Sequence, residues 1–167
     1  MSKNEAITKY ANLVTVLTFI QDLLDRNGVQ WVLVGSLSLA IQGVDVEVHD
    51  IDIANNGKGA VRCGELLKEF VESPVEWSEG SEFASYFGQF SIEGVTVEIM
   101  GNLHAWEYGQ WRDISKRLRN PIHITIGDIL VPVSSLKDQL DSYRKSNREK
   151  DYMKADAIER VLKKRML

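Results

Sequence analysis

Asp50 and Asp52 stand two residues apart in a run, Val48 to Ala54, that alternates apolar and polar side chains. In an extended strand such residues share a face, with Cα atoms roughly 6.5–7 Å apart. Two carboxylates placed this way repel, and the neighbours Asp45, Glu47 and His49 bring no lysine or arginine to offset them. A divalent cation would offset them. A third acid, Glu98, lies in a second alternating run, Val95 to Met100. There Val95, Val97 and Ile99 share one face, and Thr96 and Glu98 the other. Three carboxylates meeting on one sheet face make an all-oxygen donor set that suits Mg²⁺ or Mn²⁺. Such a set can clamp the entering and leaving oxygens of a phosphoryl transfer.

Upstream, an apolar strand over Trp31–Val34 runs into Gly35-Ser36 and a short helix from Leu37 to Gln42, ended by Gly43. A glycine there lets backbone N–H groups approach a phosphate, and a helix start favours negative charge. Ser36 adds a hydroxyl. The net charge of -4 argues against a general nucleic-acid binder. Its distribution is uneven: residues 1–111 hold 6 basic and 16 acidic side chains, residues 112–167 hold 14 and 8. A basic C-terminal third fits an anionic substrate approaching an acidic metal site.

The elements that must position these groups follow from periodicity. Residues 5–26 read as one amphipathic helix, with Tyr10, Leu13, Val14, Leu17, Ile20 and Leu24 at spacings of three and four. Asn27-Gly28 ends it. Residues 55–59 read as a loop, and Ala60–Val71 as a helix with Val61, Leu66, Leu67 and Phe70 inward, stopped by Pro74. Ser85–Ile92 and Val95–Met100 read as a hairpin turning at Glu93-Gly94. Residues 101–121 give no clear pattern beyond a short helix around 112–118. Two short strands, 122–126 and 129–131, turn at Gly127-Asp128. Ser134 then caps a helix to about Ser146, and a last helix runs from Glu149 to Leu162. The expectation is an α/β (α+β) fold, a mixed β-sheet flanked by helices, in a single domain over 1–167. Its core would span about 30–131, with C-terminal helices at about 134–164.

Val34-Gly35-Ser36, a short helix, Asp50-Ile51-Asp52-Ile53 and then Val97-Glu98-Ile99 resemble the nucleotidyltransferase fold of the DNA polymerase β superfamily. Pro132-Val133-Ser134-Ser135-Leu136 and the stretch from Ser146 to Asp151 are similar to the closing helices of its small stand-alone members. The resemblance implies a Mg²⁺-dependent transfer of a nucleoside monophosphate from a nucleoside triphosphate to an acceptor hydroxyl, with release of pyrophosphate. It implies that Gly35 and Ser36 cradle the triphosphate and that Asp50 and Asp52 ligate metal. It further implies that Glu98 holds the catalytic metal and helps activate the acceptor hydroxyl, and that Arg148 and Lys150 approach the phosphates. The acceptor stays open among a small molecule, a tRNA and a protein. A homodimer or a cognate partner protein is compatible with it. Glu98 stands where many members have Asp, and Val46-Glu47-Val48-His49 lacks the arginine of several. The alternative is therefore a catalytically weakened nucleotide-binding or partner-binding module, such as a toxin–antitoxin component.

Other signals carry less. No apolar run reaches the ~20 residues of a membrane span. No secretory leader is visible, and the cytoplasm is the expected location. The lone Cys63 excludes an internal disulfide and reads as packing. Gly57-Lys58-Gly59 lacks the first glycine and the Ser/Thr of a phosphate loop, leaving Lys58 at most a minor phosphate contact. His49 is placed to line the site, His123 reads as structural, and Trp106, Tyr108 and Trp111 read as core or rim aromatics.

Overall fold

The computed structural model describes residues 1–115 and 120–167. Among these the helices are α1 (Lys3–Lys9), α2 (Ala11–Arg26), α3 (Gly35–Ile41), α4 (Gly57–Leu66), α5 (Leu136–Arg144) and α6 (Glu149–Arg165). The strands are β1 (Val32–Val34), β2 (Asp50–Asn55), β3 (Val71–Glu79), β4 (Phe83–Ile92), β5 (Val95–Glu107), β6 (Gln110–Asp113), β7 (Ile122–Ile126) and β8 (Ile129–Val133). They form one mixed sheet in the order β3-β4-β5-β2-β1-β8-β7, with β6 added to the end of β5. β2 runs parallel to β5, and β1 parallel to β8; the other neighbours are antiparallel. The α/β expectation is borne out.

One face of the sheet is the core. Ile51, Ile53, Val97, Ile99 and Phe90 are fully buried there, each contributing roughly 1.5–3 kcal/mol of apolar transfer. Helices α2 and α4 cover this face, both packing against β2 and β5. Because side chains alternate, the same burial forces Asp50, Asp52 and Glu98 onto the other face. A second apolar cluster, Leu39 and Val44 with Leu136, Leu140, Ala155 and Ile158, fastens α5 and α6 to α3. Among the described residues no helix is long and apolar enough to cross a membrane.

Several local expectations are corrected. The helix over 5–26 is two helices, because Tyr10 leaves helical geometry (φ -111°, ψ 36°) and buries its ring. The loop at 55–59 is already helical from Gly57: the Asn56 side chain accepts the Gly59 N–H at 2.7 Å and caps α4. That helix ends at Leu66, leaving Val61 exposed and Ala60 and Cys63 buried. Pro74 does not stop it; it lies inside β3, where the pairing with β4 shifts register between Val71 and Ser73 and again between Ser73 and Glu76. β3 is an edge strand, where a missing N–H is tolerated. Ser135, one residue past the expected cap, caps α5 by accepting the Asp138 N–H. Of the short helix expected at 112–118, residues 112–113 are strand and 116–118 lie outside the described residues.

Residues 101–113, unreadable by period, are the far half of β5 and its hairpin to β6. Asn102 has φ +51°. From Ala84/His104 to Tyr86/Gly101, β5 advances one residue more than β4. This is a β-bulge, and it flips the alternation. Gly101 and Asn102 both face α4, so Leu103 returns to the face of Glu98.

Candidate active site

The carboxylates of Asp50, Asp52 and Glu98 each place an oxygen within 4.8 Å of the others. Asp52 and Glu98 are register partners in the parallel pair β2–β5, which explains why residues 46 positions apart meet. The donor set is all oxygen and half-buried, which fits a hard divalent cation. The Asp52 carboxyl is pushed well above the usual carboxylate range. Burial is the first cause, followed by the charge of Asp50, then a hydrogen bond with Glu98 and that residue's charge. Lys154 opposes them. Cations are therefore favoured beside Asp52.

The carboxylates line a cleft of about 580 Å³. Gly35 and Ser36 from the start of α3 line it, as do Arg148, which precedes α6, and Lys150 and Lys154 within α6. All seven residues singled out in the sequence thus border one cavity. His49 lines it too, 3.4 Å from the Glu47 carboxylate. Lys58 is not among the lining residues; α4 packs on the core face of the sheet. Trp106 and Trp111 meet edge-to-face at 5.2 Å on the β5–β6 hairpin, outside the cleft, with Tyr108 exposed at its turn. Cys63 is buried and its thiol is pushed up to about 12 by that burial, which leaves it inert as a nucleophile.

Gly35 has φ +74°, and a Cβ built on it would lie 2.1 Å from Asp52 Oδ2. The missing side chain is what lets β2 bring its carboxylate against the α3 turn. The Gly35 N–H donates to Gln139 Oε1 at 3.1 Å. Gln139 in turn donates to Ser38 Oγ (2.8 Å) and to the Ser134 carbonyl (3.0 Å), and Ser38 Oγ donates to the Gly35 carbonyl (2.7 Å). This buried network ties the turn to α5. Gln139→Leu takes the acceptor away from the buried Gly35 N–H and should cost about 1–3 kcal/mol of stability. Urea denaturation reads it; a loss below about 0.5 kcal/mol would mean the network holds nothing.

Arg148 is fixed from two sides. Its Nε donates to Asp151 Oδ2 at 2.7 Å, and its guanidinium lies 5.7 Å from the Phe83 ring centre. Ser146 Oγ also donates to Asp151 Oδ2 (2.6 Å). Lys154 lies over the Tyr143 ring at 5.2 Å. The Tyr143 phenol is held protonated: burial, then the charges of Asp52 and Asp151, raise it, and Arg148 opposes them. Sequence reasoning missed Lys154, Gln139 and Tyr143. For Lys154 a signal existed: it follows Lys150 by four residues, so both lie on one helical face.

A family model described as aminoglycoside-2''-adenylyltransferase matches residues 16–159. Among solved structures, one from Thermotoga maritima presented as a candidate nucleotidyltransferase has a TM-score of 0.78 and 34% identity, covering 93% of this chain and 95% of that one. ANT(2'')-Ia, solved in complex with adenylyl-2''-tobramycin, has a TM-score of 0.54 at 11% identity, covering 89% and 88%; the likeness is one of fold. No curated protein sequence matches.

Proposed function

The chain belongs to the aminoglycoside-2''-adenylyltransferase family, and we propose that it transfers a nucleoside monophosphate from a nucleoside triphosphate to an acceptor hydroxyl, releasing pyrophosphate. The observation that carries this reading is the convergence of Asp50, Asp52 and Glu98 within 4.8 Å. These residues would hold Mg²⁺ or Mn²⁺, which when bound supplies charge neutralisation at the transferring phosphate. Ser36 would meet the triphosphate. Lys150 and Lys154 would neutralise its β and γ ends, with Arg148 aimed by Asp151. Gly35, whose N–H donates to Gln139, would lie beside the triphosphate at the same turn, and it contributes the space that Asp52 occupies.

The step balances as a displacement. A bond forms between the acceptor oxygen and the α-phosphorus, and the bond from that phosphorus to the α,β-bridging oxygen breaks. The electron pair leaves with pyrophosphate, and the hydroxyl proton passes to the Glu98 carboxylate. The protein's share is orientation and charge.

The test is calorimetric titration of ATP, CTP, GTP and UTP, with Mg²⁺ and then with EDTA. Micromolar binding that needs Mg²⁺ and disappears in Asp50→Asn is expected for at least one base. No heat and no thermal shift with any nucleotide would defeat the enzyme reading and leave a partner-binding module.

A further inference from the structure

We propose that Tyr143 is a positioning residue for nucleotidyl transfer: its ring holds the Lys154 ammonium beside the carboxylate triad, still charged and open to the triphosphate. This inference rests on the nucleotidyl-transfer reading above and adds a residue that acts through Lys154.

The two side chains meet from different helices. Tyr143 belongs to the last turn of α5 and Lys154 to α6, and both line the cleft. The Lys154 ammonium lies 5.2 Å from the centre of the Tyr143 ring, within the range of a cation–π contact. The ring itself is fixed. It packs against the cluster of Leu39, Leu136, Leu140 and Ile158. Its hydroxyl lies 3.5 Å from Gln139 Oε1, the atom that accepts the Gly35 N–H. An ion pair between Arg144 and Glu159 ties the same two helices together. The platform under Lys154 is thus joined to the glycine turn and set before any ligand arrives.

A ring does here what a carboxylate would not. Neighbouring cations are held by acids: Arg148 by Asp151, Arg144 by Glu159 and Lys145 by Glu107. Each such pair offsets charge and takes up N–H donors. An acid at position 143 would add negative charge beside Asp50, Asp52 and Glu98 and compete with phosphate oxygens for the ammonium. A neutral ring orients Lys154 and leaves its charge and its three donors available. Lysine on its four-carbon stem otherwise samples many rotamers, so a platform that favours one lowers the ordering cost of binding phosphate. The ammonium's field reaches the triad, where Lys154 draws the Asp52 carboxyl down against burial and the neighbouring acids. The ring stays neutral, because burial first, and then the charges of Asp52 and Asp151, hold the phenol protonated.

Inorganic tripolyphosphate with Mg²⁺ is the probe, titrated calorimetrically into the full chain. Lys154→Met should weaken it about tenfold. Tyr143→Leu, which removes the ring, should weaken it about fivefold, and Tyr143→Phe, which keeps the ring, should bind within about twofold of wild type. Combining Tyr143→Leu with Lys154→Met should leave binding within about twofold of Lys154→Met alone, whereas a merely structural part for Tyr143 would multiply the two losses. A second measurement needs no ligand. Reductive ¹³C-methylation keeps lysines charged, and the Lys154 methyl signal is identified by its absence in Lys154→Arg. The ring current of residue 143 should shift that signal upfield in wild type and in Tyr143→Phe. Circular dichroism checks folding; if Tyr143→Leu does not fold, Tyr143→Phe and the methyl signal decide. Tyr143→Phe binding as weakly as Tyr143→Leu or Lys154→Met, multiplied losses in the double variant, or an unshifted Lys154 signal overturns the inference. Wild type that binds neither tripolyphosphate nor MgATP defeats the nucleotidyl reading instead, and the methyl signal still judges whether Tyr143 holds Lys154.

Discussion

Asp52→Asn should lower nucleotidyl transfer roughly a thousandfold or more, a loss of about 4 kcal/mol of transition-state stabilisation, while raising the melting temperature of the metal-free protein at neutral pH. The two effects share a cause. The Asp52 carboxyl is raised in the folded chain, first by burial, then by Asp50, and then by Glu98. Over the interval between the unfolded value, 3.8, and the raised folded value, the native state holds a proton that the unfolded chain has released. Stability from this group is therefore fully present below the unfolded value and is lost as pH rises through the folded one. Wild-type protein in EDTA should melt at lower temperature as pH climbs through this window. The asparagine variant should show a smaller decline, since its amide never ionises. Mg²⁺ should restore the wild type at neutral pH and do little for the variant. A variant that retained near-normal transfer, or that melted well below wild type in EDTA at neutral pH, would contradict the assignment.

Gly35→Ala should cost on the order of 3 kcal/mol or more of stability and abolish Mg²⁺-dependent nucleotide binding. Two effects combine there: a left-handed backbone at φ +74°, and a Cβ 2.1 Å from Asp52 Oδ2. Gly28→Ala separates them. Gly28 has φ +67° with nothing within 4 Å of its built Cβ, so it carries the backbone cost of about 1–2 kcal/mol alone. Chemical denaturation gives the stabilities and calorimetry gives the binding. Equal losses for the two alanines, with nucleotide binding kept in both, would show that the Gly35–Asp52 approach does not matter.

The parts of the site carried by a two-residue period were legible from sequence. β2 and the near half of β5 bury one face completely, so Ile51, Ile53, Val97 and Ile99 announce where Asp50, Asp52 and Glu98 must point. The rest was hidden for physical reasons. β3 exposes nearly every side chain on both faces, leaving no alternation to find, and its proline mimics a helix stop. The bulge at Asn102 inverts the pattern midway along β5, so the stretch beyond it reads as irregular and the return of Leu103 to the cleft goes unseen. Gln139, Tyr143 and Lys154 reach the cleft only because Leu136, Leu140 and Ile158 dock their helices on Leu39, a tertiary event with no local signature. Gly35 was noticed as a phosphate turn, whereas its contact with Asp52 depends on the antiparallel pairing of Val34 with Asp52.

Pro74 also bears on self-association. A nine-residue edge strand exposed on both faces invites a second chain to extend the sheet. Here the proline offers no N–H, the register slips on either side of Ser73, and Glu72, Glu76 and Glu79 line the same strand. A second copy added in register would meet a gap in the ladder and a row of like charges. This border of the sheet is thus a poor template for a second chain to extend.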